Sequence, residues 1–279
     1  MTISFQDHVI PAVSTTPVYR GGNIADFNYS ARLFWDSAFQ DVSGKLTTNK
    51  IVIYFHGSGA SGIPATTDAM VRALAEDGWF VIYARHFNVF KSSSPPWVYG
   101  YGNVNNPNIF GYTVRLSRWV QAILEWVYVH SALHLVYEPN DIPKCLLLGQ
   151  SMGATSILAW SAFSQCEGLA ETDLSDRVQG FVANAATMAG LGNYVWNDPM
   201  TIINAFSDLY SQVKHSGIMY YNDQDTYAPP AFSKRYQMTL NPDANVKFKS
   251  VGRTYGHNWY SDNITELLAS MNAVQSQDF

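Results

Sequence analysis

The chain is predicted to fold as an α/β domain whose mostly parallel central sheet, of about eight strands, is covered by helices on both faces. Two observations carry this reading. From residue 50 onward, short β-branched and aromatic runs alternate with segments of helical apolar spacing, the pattern of strand-turn-helix units. The composition, 47% hydrophobic and only 14% charged, supplies a large core and little of the polarity that keeps chains disordered. With 279 residues and no internal repeat, a single domain over 1–279 is the expectation.

The elements follow in order. Residues 51–55 (IVIYF) form a strand that runs through His56 into a glycine-rich turn, and 65–76 have helical spacing. Residues 79–84 are the next strand, 114–130 a long helix and 145–148 an apolar strand leading into Gly149. Residues 151–163 follow as helix, 178–183 and 217–221 as strands, 230–238 as helix, 246–251 as strand and 264–274 as the closing helix. Residues 1–50, with a strand best placed at 31–35, add antiparallel strands at one edge. Ligands in such sheets bind beyond the carboxyl ends of the strands. Two long connections leave those ends: 88–111, rich in Asn, Gly, Pro and aromatics, and 188–214, read as a small lid.

Charge and cysteine content exclude several classes. The net charge of −5, without any cluster of Lys and Arg, argues against nucleic acid. No stretch approaches the roughly 20 apolar residues of a membrane span, and residues 1–20 lack the pattern of a secretion signal. A cytoplasmic protein is the expectation, or a secreted one if a signal has been removed. Cys145 and Cys166 match no zinc or redox spacing, and Cys145 reads as core.

Chemistry is concentrated in one motif. Gly149-Gln150-Ser151-Met152-Gly153 follows an apolar strand and opens a helix, where a tight turn would push the serine hydroxyl out at the helix N-terminus. By chance G-x-S-x-G arises on the order of 0.1 times in a chain this long, and its strand-helix setting lowers that further, so Ser151 is assigned as nucleophile. A serine needs a base, and the base a carboxylate to fix its tautomer. Of the histidines beyond Ser151, His215 precedes a strand and so lies at the wrong edge, whereas His257 follows one. The loop after residues 217–221 holds two carboxylates; Asp225, four residues before Pro229, is preferred over Asp223 as the orienting acid. Two backbone N–H donors must hold the oxyanion. Met152 offers one, and the turn after His56-Gly57 offers the other, from Ser58 or, alternatively, Gly59.

These segments, H-G-S-G, G-Q-S-M-G, D-T-Y-A-P and G-H-N, resemble the α/β-hydrolase superfamily over residues 50–270. Within it they look most like the branch of dienelactone hydrolases and cutinase-like polyester hydrolases. The resemblance implies hydrolysis of carboxylic esters through an acyl-enzyme, with no metal or organic cofactor. Two departures weigh toward small soluble esters and against polymers: the long span between Ser151 and Asp225, with room for a lid, and the absence of cysteines near the C-terminus.

Other readings compete. Gly57-Ser58-Gly59-Ala60-Ser61-Gly62 matches the dinucleotide fingerprint of an NADP-dependent oxidoreductase, but Pro64 would fall inside the phosphate-binding helix and no acidic residue ends the next strand. A relative that only binds ligand would normally lack part of the triad. Amide or carbon-carbon bond hydrolysis remains open, because the same triad serves them. Trp97, Tyr99, Tyr101 and Tyr112 in the long connection, and Trp259 and Tyr260 beside the base, are candidate substrate contacts. The expected partner is a small-molecule ester, with neither nucleic acid nor membrane involved.

Overall fold

The computed structural model describes residues 2–10, 29–57, 63–86, 109–130, 133, 136–138, 141–163, 173–186, 210–226, 228, 230–251 and 257–279. Among these, eight strands form one sheet: β1 (Ile3–Ile10), β2 (Tyr29–Asp36), β3 (Ile51–Phe55), β4 (Phe80–His86), β5 (Cys145–Gln150), β6 (Val178–Asn184), β7 (Gly217–Tyr221) and β8 (Val246–Ser250). The order across the sheet is β1-β2-β4-β3-β5-β6-β7-β8. β1 and β2 are antiparallel to their neighbours, and β4 through β8 pair in parallel. The expected antiparallel edge is therefore present, with the strand expected at 31–35 extended in both directions and a partner, β1, in a segment without a clear strand signal.

The α-helices with described bounds are α1 (Ala65–Glu76), α2 (Ile109–Tyr128), α3 (Met152–Phe163), α4 (Pro230–Thr239), α5 (Trp259–Asp262) and α6 (Ile264–Ser276). Alternation along the strands feeds both faces. Ile51, Ile53 and Phe55 join the core under α2 and α3, while Val52 and Tyr54 join the second core under α1 and α6. Side chains of period two pointing to opposite faces, all apolar, are what a sheet buried on both sides requires. No described helix is long and apolar enough to cross a membrane.

Charged side chains mark both edges of the sheet. On one side Asp7 of β1 bonds Arg32 of β2 at 2.6 Å and Arg85 of β4 at 2.5 Å, an ion network across three strands. On the other, β8 exposes Lys247 and Lys249, charges that discourage another strand from adding. The parallel strands all end on one side of the sheet, and residues 56, 151, 184, 225 and 257 follow or finish those ends.

Candidate active site

The elbow is set by how little chain it uses. β5 ends at Gln150 and α3 begins at Met152, so Ser151 alone reverses the chain. It does so in the left-handed region, at φ 54°, a conformation that costs a residue with a Cβ about 1–2 kcal/mol. The helix expected from residue 151 thus starts one residue later, because Ser151 makes the turn. Gly153 lets the first turn of α3 lie directly on β3: a Cβ there would stand 1.9 Å from the Phe55 carbonyl oxygen. A Cβ on Gly57 would lie 3.3 Å from Ser151 Cβ and 3.8 Å from its Oγ, so the turn after β3 begins against the serine. Met152 heads α3, where the first N–H groups have no intrahelical partner. Ser58 and Gly59 lie outside the described residues.

After β7 the chain folds tightly. Asn222 accepts the Gln224 N–H on Oδ1 (2.8 Å), and its carbonyl accepts the Asp225 N–H (3.2 Å). The turn directs Asp225 inward, where its side chain is 1% exposed. Its Oδ1 accepts the Ala228 N–H at 2.9 Å, and its Oδ2 accepts from His257 Nδ1 at 2.7 Å. Asp223 points outward and accepts a hydrogen bond from the Ser250 hydroxyl at 3.2 Å. Of the two carboxylates, the structure brings Asp225 to His257. A carboxylate can only accept, so Nδ1 of His257 is the donor in this bond.

The histidine loop is docked on the ends of β5, β6 and β7. The His257 carbonyl accepts from the Gln150 amide (3.3 Å) and the Asn184 amide (3.2 Å). The Gln150 amide also donates to Asn258 Oδ1, and the Tyr260 hydroxyl donates to the Gly149 carbonyl (3.2 Å). Trp259 stacks on Tyr220 with ring centroids 4.1 Å apart.

His56 turns away from the turn it introduces. Its ring stacks on Tyr83 (5.6 Å) and meets Trp119 edge-on (5.5 Å), and its Nδ1–H is donated to the Gly57 carbonyl. Burial, with a smaller contribution from the Arg85 cation, pushes it down to about 4, against the opposing effect of the Gly57 bond. It is a neutral ring supporting the turn beside Ser151. Cys145 is buried in the core as expected, its thiol pushed up to about 12 by desolvation. His215 lies at the amino end of β7, bonded to Ser161 Oγ at 2.7 Å and the Ser175 carbonyl at 3.2 Å.

Trp259 is 1% exposed and belongs to the core beneath α1 and α6, stacked on Tyr220. Tyr260 is likewise buried. Trp97, Tyr99 and Tyr101 lie outside the described residues, as do the side chain of Tyr112 and residues 188–209 of the expected lid. No cluster of three or more His, Cys, Asp or Glu that could hold a metal ion occurs among the described residues.

Sequence reasoning passed over the side-chain amides. Apolar β5, β6 and β7 each finish in or are followed by one, Gln150, Asn184 and Asn222, and all three are buried. An amide at the end of three successive apolar strands was the available signal.

No protein-family model and no curated protein matches the chain. Solved structures do match in fold. A cold-adapted esterase from an Arctic intertidal metagenomic library is 10% identical with a TM-score of 0.59, over 96% of this chain and 94% of that one. Dienelactone hydrolase from Anabaena variabilis is 11% identical with a TM-score of 0.55, over 99% and 94%. An esterase from Pyrococcus furiosus is 14% identical with a TM-score of 0.54, over 99% and 93%. The chain has the α/β-hydrolase fold.

Proposed function

We propose that this protein is a serine hydrolase of small carboxylic esters, with Ser151 as nucleophile, His257 as general base and Asp225 as the acid that orients it. The observation that carries the reading is the 2.7 Å bond from His257 Nδ1 to a buried Asp225, docked against the strand end from which Ser151 projects. The fold shared with proteins described as esterases supports it, as does the left-handed backbone of Ser151.

In the proposed reaction Ser151 Oγ attacks the ester carbonyl carbon while His257 Nε2 accepts the hydroxyl proton. The positive imidazole is held by Asp225, whose carboxylate stays ionised. The N–H of Met152 and one from Ser58 or Gly59 stabilise the tetrahedral oxyanion. His257 returns its proton to the leaving alkoxide, and an acyl-Ser151 ester remains. Water, deprotonated by His257, then attacks the acyl carbon; Ser151 leaves with the proton and the carboxylic acid departs. The reaction as proposed calls for no metal or organic cofactor. We assign the Asp225 side chain the orienting role, and Asp223 none.

The test is hydrolysis of p-nitrophenyl esters from acetate to palmitate by the native chain and Ser151→Ala, with fluorophosphonate labelling of both. Serine-dependent release, fastest on short acyl chains, is expected. A Ser151→Ala variant with near-native turnover refutes the assignment. Labelling at Ser151 without ester release redirects the reading to amide or carbon-carbon substrates of the same triad.

A further inference from the structure

The base in such a site must present one imidazole nitrogen to the serine within a few tenths of an ångström, yet His257 belongs to a loop and not to a regular element. Asp225 restrains only the ring, through Nδ1. Ring rotation about that bond, and sliding of the loop as a whole, must be resisted by something else. The main chain of His257 is gripped separately. Its carbonyl accepts two hydrogen bonds, from Gln150 Nε2 at 3.3 Å and Asn184 Nδ2 at 3.2 Å, the last residues of the adjacent strands β5 and β6.

The Gln150 amide is itself held. The Tyr54 hydroxyl donates to Gln150 Oε1 at 2.9 Å, and Tyr54 lies in β3, on the other side of β5. The remaining Gln150 amide hydrogen goes to Asn258 Oδ1, so the Gln150 side chain uses its oxygen and both its amide hydrogens. The Asn184 main chain is engaged too: its carbonyl accepts the Ser151 N–H at 2.8 Å. Asn184 therefore touches the backbone of the nucleophile and the backbone of the base at once, and Gln150 is joined covalently to Ser151 while bonded to His257. Each fixes the separation of the two residues whose proton transfer the reaction needs. Buried polar groups of this kind are costly when left unpaired, so two amides here indicate a requirement beyond core packing, which apolar residues would satisfy better.

We propose that Gln150 and Asn184 are positioning residues that set the distance between Ser151 and His257 by holding the His257 carbonyl. This rests on the assignment of those two residues as nucleophile and base. The amides touch no reacting atom; they act through the histidine loop.

The test uses variants of nearly unchanged shape that cannot donate: Gln150→Met, Asn184→Leu and Asn184→Asp. Each is compared with the native chain for kcat and KM on p-nitrophenyl butyrate, for the rate and final stoichiometry of fluorophosphonate labelling, and for its urea midpoint. Expected is a fall in kcat of about tenfold to a hundredfold with KM little changed. The labelling rate should fall in parallel while still reaching one label per chain, because the fold and the serine are intact but the base is misplaced. Asn184→Gln, which keeps a donor, should recover part of the loss.

Native kcat and labelling rate in all three non-donating variants would overturn the proposal. So would a loss of activity matched by a loss of labelled fraction, with an unchanged rate per labelled chain, since that is a folding defect. If Asn184→Leu fails to fold, Gln150→Met and Asn184→Asp decide the matter. A native chain that neither hydrolyses nor labels overturns the triad itself and this proposal with it; a native chain that does both while the variants equal it overturns this proposal alone.

Discussion

Mild acid should destabilise this fold through His56, well before its carboxylates titrate. The ring is enclosed by Tyr83 and Trp119, and burial is the main reason its protonated form is disfavoured, to about 4 from the ordinary 6.5. A depressed pKa means that between 4 and 6.5 the unfolded chain binds the proton and the folded chain does not. Stability from this group is therefore complete above about pH 6.5, and falls as pH drops through the window. Below about 4 it falls no further. The full difference is worth about 3 kcal/mol, and at pH 4.5 most of it should already be lost. Urea unfolding of the native chain and of His56→Asn at pH 7.5 and 4.5 measures it. Other groups titrate alike in both proteins, so the difference between their two acid losses isolates His56, and the native chain should lose about 2–3 kcal/mol more. Equal losses would show that the ring is protonated in the folded state, and that the enclosed pocket described for it is wrong.

Three further outcomes follow from the geometry. Ser151→Gly should raise stability above that of Ser151→Ala by about 1 kcal/mol, since only glycine is free of the penalty at φ 54°; equal melting temperatures would refute a left-handed elbow. Asp225→Asn should lower kcat by roughly ten-thousandfold by removing the tautomer restraint on His257, whereas Asp223→Asn should leave ester hydrolysis within about twofold of native. Trp259→Ala should cost about 3–5 kcal/mol in urea unfolding, as loss of a fully buried indole does, with acyl-chain preference unaltered among the folded molecules; a shifted preference would return Trp259 to the substrate site.

Much of this protein was legible from its residues alone, and for a local reason. Apolar periodicity is a property of a few adjacent positions, so β3 at 51–55, α1 at 65–76 and β7 at 217–221 coincide with the segments read from the chain. The tight turn at Ser151 was legible because its steric demand is written into five consecutive residues, and the place of His257 beyond β8 because chain order left one histidine after the last strand. What lay beyond was decided by pairing between distant segments. Spacing before Pro229 favoured Asp225 over Asp223, and the Asn222 turn and the Ala228 N–H are what make Asp225 the inward one. β1 became a strand only because β2 offered it an edge and Arg32 and Arg85 a partner for Asp7. Trp259 follows the histidine in the chain, and only tertiary packing set it on Tyr220. The amides of Gln150 and Asn184 acquired their meaning only when the sheet order set β5 beside β6 and brought residue 257 across both strand ends, because a hydrogen-bond donor records nothing in sequence about the acceptor it will meet.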